Sequence, residues 1–103
     1  MNFQHKQLAA GRWNELSLVE QMANIGSEVI RAINWKNKNQ SKLSQEAFYR
    51  ALELLSLTKA DPKHRRRPAF KEICRVYEVL ADYFAGDNTY GSTDKLWEKY
   101  FLA

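Results

Sequence analysis

Ser17-Leu18-Val19-Glu20-Gln21-Met22-Ala23-Asn24-Ile25-Gly26-Ser27-Glu28-Val29-Ile30-Arg31-Ala32-Ile33 is the stretch whose pattern decides the fold. Ser17 followed three residues later by Glu20 has the spacing of a capping box, in which each side chain takes a free amide of the opening turn. Leu18, Met22, Ile25, Val29 and Ile33 then recur at intervals of four, three, four and four. That is helical periodicity. A second row, Val19, Ala23, Gly26 and Ile30, lies one residue over and widens the apolar face enough for two neighbours. Ala23, Gly26 and Ser27 are small. A glycine inside a helix costs about 1 kcal/mol, so close packing of another helix is its expected purpose.

Working outward, Asn37-Lys38-Asn39-Gln40-Ser41 is a polar break, and a second helix is expected over residues 42–59. Leu43, Ala47, Phe48, Ala51, Leu52, Leu54, Leu55 and Leu57 form its apolar set, with Glu46, Arg50 and Glu53 expected to pair on the outer face. Asp61-Pro62 ends it, because a residue before proline is pushed out of the α region. The third helix opens at Pro68, where a missing N–H costs nothing. It runs through Phe70, Ile73, Cys74, Tyr77, Leu80, Ala81 and Phe84 to a stop at Gly86. After the loop 87–92, a short last helix from about Thr93 carries Leu96, Trp97, Tyr100 and Phe101. Connections this short favour antiparallel neighbours. No segment alternates with period two. The expectation is therefore all-α: one domain over residues 1–103, an antiparallel bundle of about four helices. Residues 1–16 are its leader, where residues 3–10 are compatible with a short helix that Gly11 interrupts.

The composition agrees. Hydrophobic residues at 45% and charged residues at 27% are ordinary for a globular chain. Four glycines and two prolines are too few for the turns of a β-sandwich. No run approaches the roughly 18 apolar residues of a membrane span, and the first residues lack the apolar core of a secretory signal. The single cysteine, Cys74, cannot form an intramolecular disulfide, so a reducing, cytoplasmic setting is expected.

Enzymatic chemistry has little to build on. His5, His64 and Cys74 are too dispersed in sequence for a metal site, Cys74 falls on an apolar stripe where a thiol is inert, and neither glycine-rich phosphate loop pattern occurs. No catalytic residue, metal or cofactor is expected. The sharpest feature is instead Lys63-His64-Arg65-Arg66-Arg67. Residues 59–75 hold seven cations, Lys59, Lys63, Arg65, Arg66, Arg67, Lys71 and Arg75, against Asp61 and Glu72; this local surplus of +5 exceeds the net charge of +4 for the whole chain. The run precedes a helix amino terminus, where the dipole is positive and free amides are expected to point outward. Lys63, His64, Arg65, Arg66, Arg67, Lys71 and Arg75 are thus the expected site for nucleic acid or another polyanion, bound with strong salt dependence. The opposing reading is a solvated loop complementing the negative end of the preceding helix. No aromatic lies beside the run in sequence, which favours backbone contact over base stacking.

The aromatic stripe Trp97, Tyr100 and Phe101 allows two readings: a lid on the three-helix core, or an interface for a protein partner or a second copy of the chain.

A bundle of about four helices with this length and basic surface resembles the HEPN and ribosomal intervening-sequence proteins. Members that cleave RNA carry an arginine separated from a histidine by about four to six residues. The matching positions before His64 are Leu57, Thr58 and Lys59, and His5 has no upstream arginine. The resemblance therefore implies contact with RNA or a partner without cleavage. Ala47-Phe48-x-Arg50-Ala51-Leu52 with Pro62 also resembles a tetratricopeptide unit, but it does not recur after about 34 residues and reads as ordinary helix packing.

Overall fold

The capping box forms: the Ser17 hydroxyl accepts the Glu20 N–H at 3.2 Å, and Glu20 Oε1 accepts the Ser17 N–H at 3.0 Å. It opens α1 (Leu18–Asn37) in a computed structural model that describes residues 11–102. α2 (Ser41–Ala60), α3 (Pro68–Ala85) and α4 (Asp94–Leu102) follow, with short 3-10 turns at Arg12–Glu15 and Pro62–His64. There is no strand among the described residues. The short helix expected at residues 3–10 lies outside them, as does His5.

Each helix end has a local cause. α1 closes with Asn39 in the left-handed region at φ 60°, the Gln40 N–H on Trp35 O and the Asn39 N–H on Lys36 O. This is the Schellman arrangement, with asparagine where glycine is more usual. Asp61, extended before Pro62, ends α2. Pro68 opens α3 and Gly86 caps it. The Thr93 hydroxyl accepts the Leu96 N–H at the start of α4.

Contacts along each helix pair run in opposite directions. Gln21 meets Asp61, Glu28 pairs with Arg50, and Ser44 Oγ donates to Ala32 O, so α1 and α2 are antiparallel. Phe48 stacks on Phe84 with ring centroids 5.1 Å apart, and Lys59 lies over the Tyr77 ring, which sets α3 antiparallel to α2. Lys36 reaches Asp94 while Gly26 faces Phe101, which closes α4 against α1. The core between them holds Ile25, Val29 and Ile33 of α1, Phe48, Leu54 and Leu55 of α2, Ile73, Val76 and Leu80 of α3, and Trp97 of α4.

Gly26 is the close approach expected of it. A Cβ there would sit 2.7 Å from Phe101 Cδ1 and 3.1 Å from Phe101 Cβ, so the α4 ring occupies the space a side chain would need. Other expectations change. Val19 is 79% exposed and Ala23 is exposed, because α4 is short and covers the second row of α1 only partly. Glu53, expected outside, is 1% exposed. Arg50 pairs across to Glu28 of α1 rather than along its own helix. Cys74 is half-buried rather than enclosed.

Candidate anion-binding surface

The basic segment is built on a buried polar cluster beneath it. Asp61, which stops α2, accepts the Lys63 N–H on Oδ1 at 3.1 Å; its Oδ2 accepts Lys63 Nζ at 2.6 Å and Gln21 Nε2 at 2.9 Å. Gln21 Nε2 gives its second hydrogen to Trp13 O at 3.0 Å. With both amide hydrogens spent, Gln21 Oε1 is an acceptor, so His64 Nε2, 2.7 Å away, must be the donor. His64 Nε2 therefore carries a hydrogen, and burial favours the neutral ring. Trp13 Nε1 donates to the Thr58 hydroxyl at 2.9 Å, and Lys63 Nζ also reaches Asn14 O at 2.8 Å. The cluster ties the turn after Gly11, the first turns of α1 and the end of α2 into one unit. Burial would raise the Asp61 carboxyl, but the hydrogen bonds from Lys63 and Gln21 outweigh it and hold it below its ordinary value. Burial holds the His64 imidazole below its own; Asp61 opposes this, while Lys63 and Arg67 add to it.

Two of the seven expected contact residues are thus turned to structural use. His64 is 3% exposed and faces Gln21, away from any solvent-facing ligand. Lys63 is exposed in part, but its ammonium is neutralised by Asp61. Local sequence does not show this, because Asp61 reads there as a helix stop and its meeting with Gln21 is made only by the pairing of α1 and α2. A carboxylate two residues before a lysine and three before a histidine was the available signal.

Arg65, Arg66 and Arg67 are different. All three are exposed, and none has a carboxylate within 4.0 Å among the described residues. They stand immediately before α3, whose first turn holds no acidic residue and whose amino terminus has no side-chain cap. A helix amino terminus repels cations, so this is a concentration of positive charge that the fold leaves uncompensated. The free amides expected there are largely missing: Pro68 has none, and the Phe70 N–H already bonds Arg67 O at 3.0 Å. Guanidinium groups, not helix amides, would carry anion binding.

Lys71 and Arg75, both exposed, follow Arg67 at intervals of four and so continue one face of α3. The structure also brings aromatics there, against the expectation from sequence. The Arg75 guanidinium lies 6.0 Å from the centroid of the Tyr90 ring, and Tyr100 Oη donates to Glu72 Oε1 at 2.9 Å. Tyr90 comes from the loop after α3 and Tyr100 from α4, which is why the run looked bare in sequence.

Of the three expected interface aromatics, Trp97 is 6% exposed and stacks on Phe101, which itself packs against Gly26. These two are lid residues of the bundle; only Tyr100 is exposed, with Leu96 and Leu102 beside it in sequence and more exposed still. A wider cleft of about 870 Å³ lies at the other end of α3, with Lys36, Lys42, Gln45, Phe48, Tyr49 and Phe84 in its lining. Its Lys36 is already committed to Asp94 at 2.5 Å and Tyr83 at 2.9 Å. No group of three or more His, Cys, Asp or Glu side chains among the described residues could hold a metal ion. No helix among them is long and apolar enough to cross a membrane. No family model, curated protein or solved structure matches the chain.

Proposed function

We propose that this chain is a binding module for a polyanion, with nucleic acid the foremost candidate, received by Arg65, Arg66 and Arg67 and continued by Lys71 and Arg75. The observation that carries the reading is the contrast within one run. Lys63 and His64 are consumed by Asp61 and Gln21, while the next three cations are exposed, without an ion pair among the described residues, and set against a positive helix end. An ordinary solvated loop would let its side chains drift. Here the backbone is held by the 3-10 turn Pro62–His64, by the Arg67 N–H on His64 O at 3.1 Å and by the buried cluster below. Holding the backbone that carries these cations lowers part of the ordering cost of binding.

The test is binding of a single-stranded RNA oligomer and of heparin as salt is raised. Each phosphate contact on a single strand contributes roughly −0.7 to the slope of log K against log salt. Changing Arg65, Arg66 and Arg67 to Ala together is expected to flatten that slope by about 2. An unchanged slope in the triple variant overturns the reading. The adaptor reading retains only Tyr100 of its three residues at the surface.

A further inference from the structure

We propose that the polyanion is a single-stranded nucleic acid whose backbone follows Arg67, Lys71 and Arg75 along α3 while one base enters the groove between α3 and α4 against Tyr90 and Tyr100. The inference rests on the polyanion reading above and adds the base. Four residues of helix advance about 6 Å, so the three cations form a row suited to successive charges on one strand. Arg75 belongs both to that row and to the lining of the groove, so phosphate and base positions adjoin.

The groove encloses about 240 Å³, with Val76, Val79, Leu96, Tyr90, Trp97 and Tyr100 in its lining. That is below the range that accommodates a drug-sized ligand and of the scale of one planar ring. Its tyrosines are exposed but not loose. Tyr90 is 49% exposed, yet the Asp82 carboxylate accepts the Thr89 N–H at 2.9 Å and the Tyr90 N–H at 3.1 Å. Tyr90 Oη donates to Glu78 Oε1 at 2.9 Å. Tyr100, 41% exposed, is held the same way by Glu72. Rings fixed by their hydroxyls present faces for stacking at little entropic cost. The same carboxylates, Glu72 and Glu78, repel phosphate and so confine the backbone to the cationic row. A duplex keeps its bases stacked inside; only a single strand offers one to an aromatic.

The experiment measures binding of the full chain to a short single-stranded homopolymer, in ribose and deoxyribose form, to an abasic strand of equal length, and to a duplex. The base-bearing strand is expected to bind more tightly than the abasic strand and the duplex. Y90A is expected to lose about five- to 150-fold on the base-bearing strand, the range of one stacked base, with its salt slope unchanged and abasic binding unaffected. Y90F keeps the ring but loses the Glu78 bond that orients it, and is expected to fall between the parent and Y90A. Thermal unfolding of each variant checks that the fold is intact. Equal affinity for base-bearing and abasic strands, or Y90A and Y100A variants that bind like the parent, overturns the groove while leaving the arginine site standing. Binding to every strand that ignores the triple arginine change overturns both.

Discussion

His64 Nε2 lies 2.7 Å from Gln21 Oε1, across 43 residues of sequence, in a setting that leaves the imidazole 3% exposed. The bond joins the foot of the basic segment to the first turns of α1. A histidine in a run of arginines and lysines is thereby a buried donor, and the run is divided between anchor and surface.

The first consequence is a pH dependence of stability. The unfolded imidazole protonates near its ordinary value of about 6.5, whereas the folded one resists until lower pH because burial disfavours the charge. Below that ordinary value the unfolded state binds more protons, so the stabilisation present above it is lost as pH falls through the folded value. Thermal unfolding between about pH 7.5 and 5 is expected to show a falling Tm, and His64→Gln, which keeps an N–H donor but cannot titrate, is expected to flatten it. Asp61 adds a second, more acidic loss: its lowered value gives stabilisation above about 3.9 that disappears as pH falls further. A parent Tm independent of pH across the histidine range would rule out the first loss.

Gln21→Leu tests the cluster itself. The leucine removes the acceptor of the buried His64 N–H, and takes one hydrogen-bond donor each from Trp13 O and Asp61, which keep the Leu16 N–H and Lys63. A buried donor left without a partner costs about 1–3 kcal/mol. Urea unfolding is expected to show stability lower by at least about 1 kcal/mol, seen as a lower midpoint at an unchanged slope. A loss below 0.5 kcal/mol, at roughly the level of an ordinary surface change, would show that the cluster is not a clamp.

Within the basic run, stability and binding are expected to separate. Lys63→Ala removes the ammonium that spans Asp61 and Asn14 O, and is expected to destabilise by about 1–3 kcal/mol. Arg65→Ala, Arg66→Ala and Arg67→Ala touch no ion pair among the described residues and are expected to fall within about 0.5 kcal/mol of the parent. Relief of repulsion at the α3 amino terminus would favour Arg67→Ala slightly. Chemical denaturation of the four single variants reads the difference directly.

Gly26→Ala sets two effects against each other. Replacing glycine inside a helix gains about 0.5–1 kcal/mol, but overpacking a close contact costs about 1–3 kcal/mol. The cost is expected to win, since Cβ and Cγ of Phe101 lie within 3.1 Å of the added methyl and a ring rotation cannot clear both. In a Phe101→Ala background the same substitution is expected to become stabilising. If its sign is the same in both backgrounds, Phe101 is not what requires the glycine.

The elements of this fold were legible because their causes are local. A serine and a glutamate three apart, a proline at the start of α3 and a glycine at its end each act on their own turn of backbone, and the helical period of apolar residues names the core. Fates of polar groups are not local in this way. Glu53 and Glu46 sit on one helix with similar neighbours in sequence, yet one is buried and the other half-exposed. Trp97 and Tyr100 share a stripe, yet only the first is covered.

The sequence by itself determined an all-helical chain, the ends of its main helices, the need for a small residue at position 26 and the concentration of charge in residues 59–75. Tertiary structure alone decided which of those charges are spent. Asp61 and Gln21 come together only when α1 and α2 pair, and their meeting engages the Lys63 ammonium and buries His64. Arg65, Arg66 and Arg67 stay exposed with no carboxylate within 4.0 Å among the described residues, and Tyr90 and Tyr100 join Arg75 and Glu72 because a loop and α4 fold back beside α3. The physical reason is that hydrogen bonds and Coulomb interactions act over a few ångströms of space, whatever the distance along the chain.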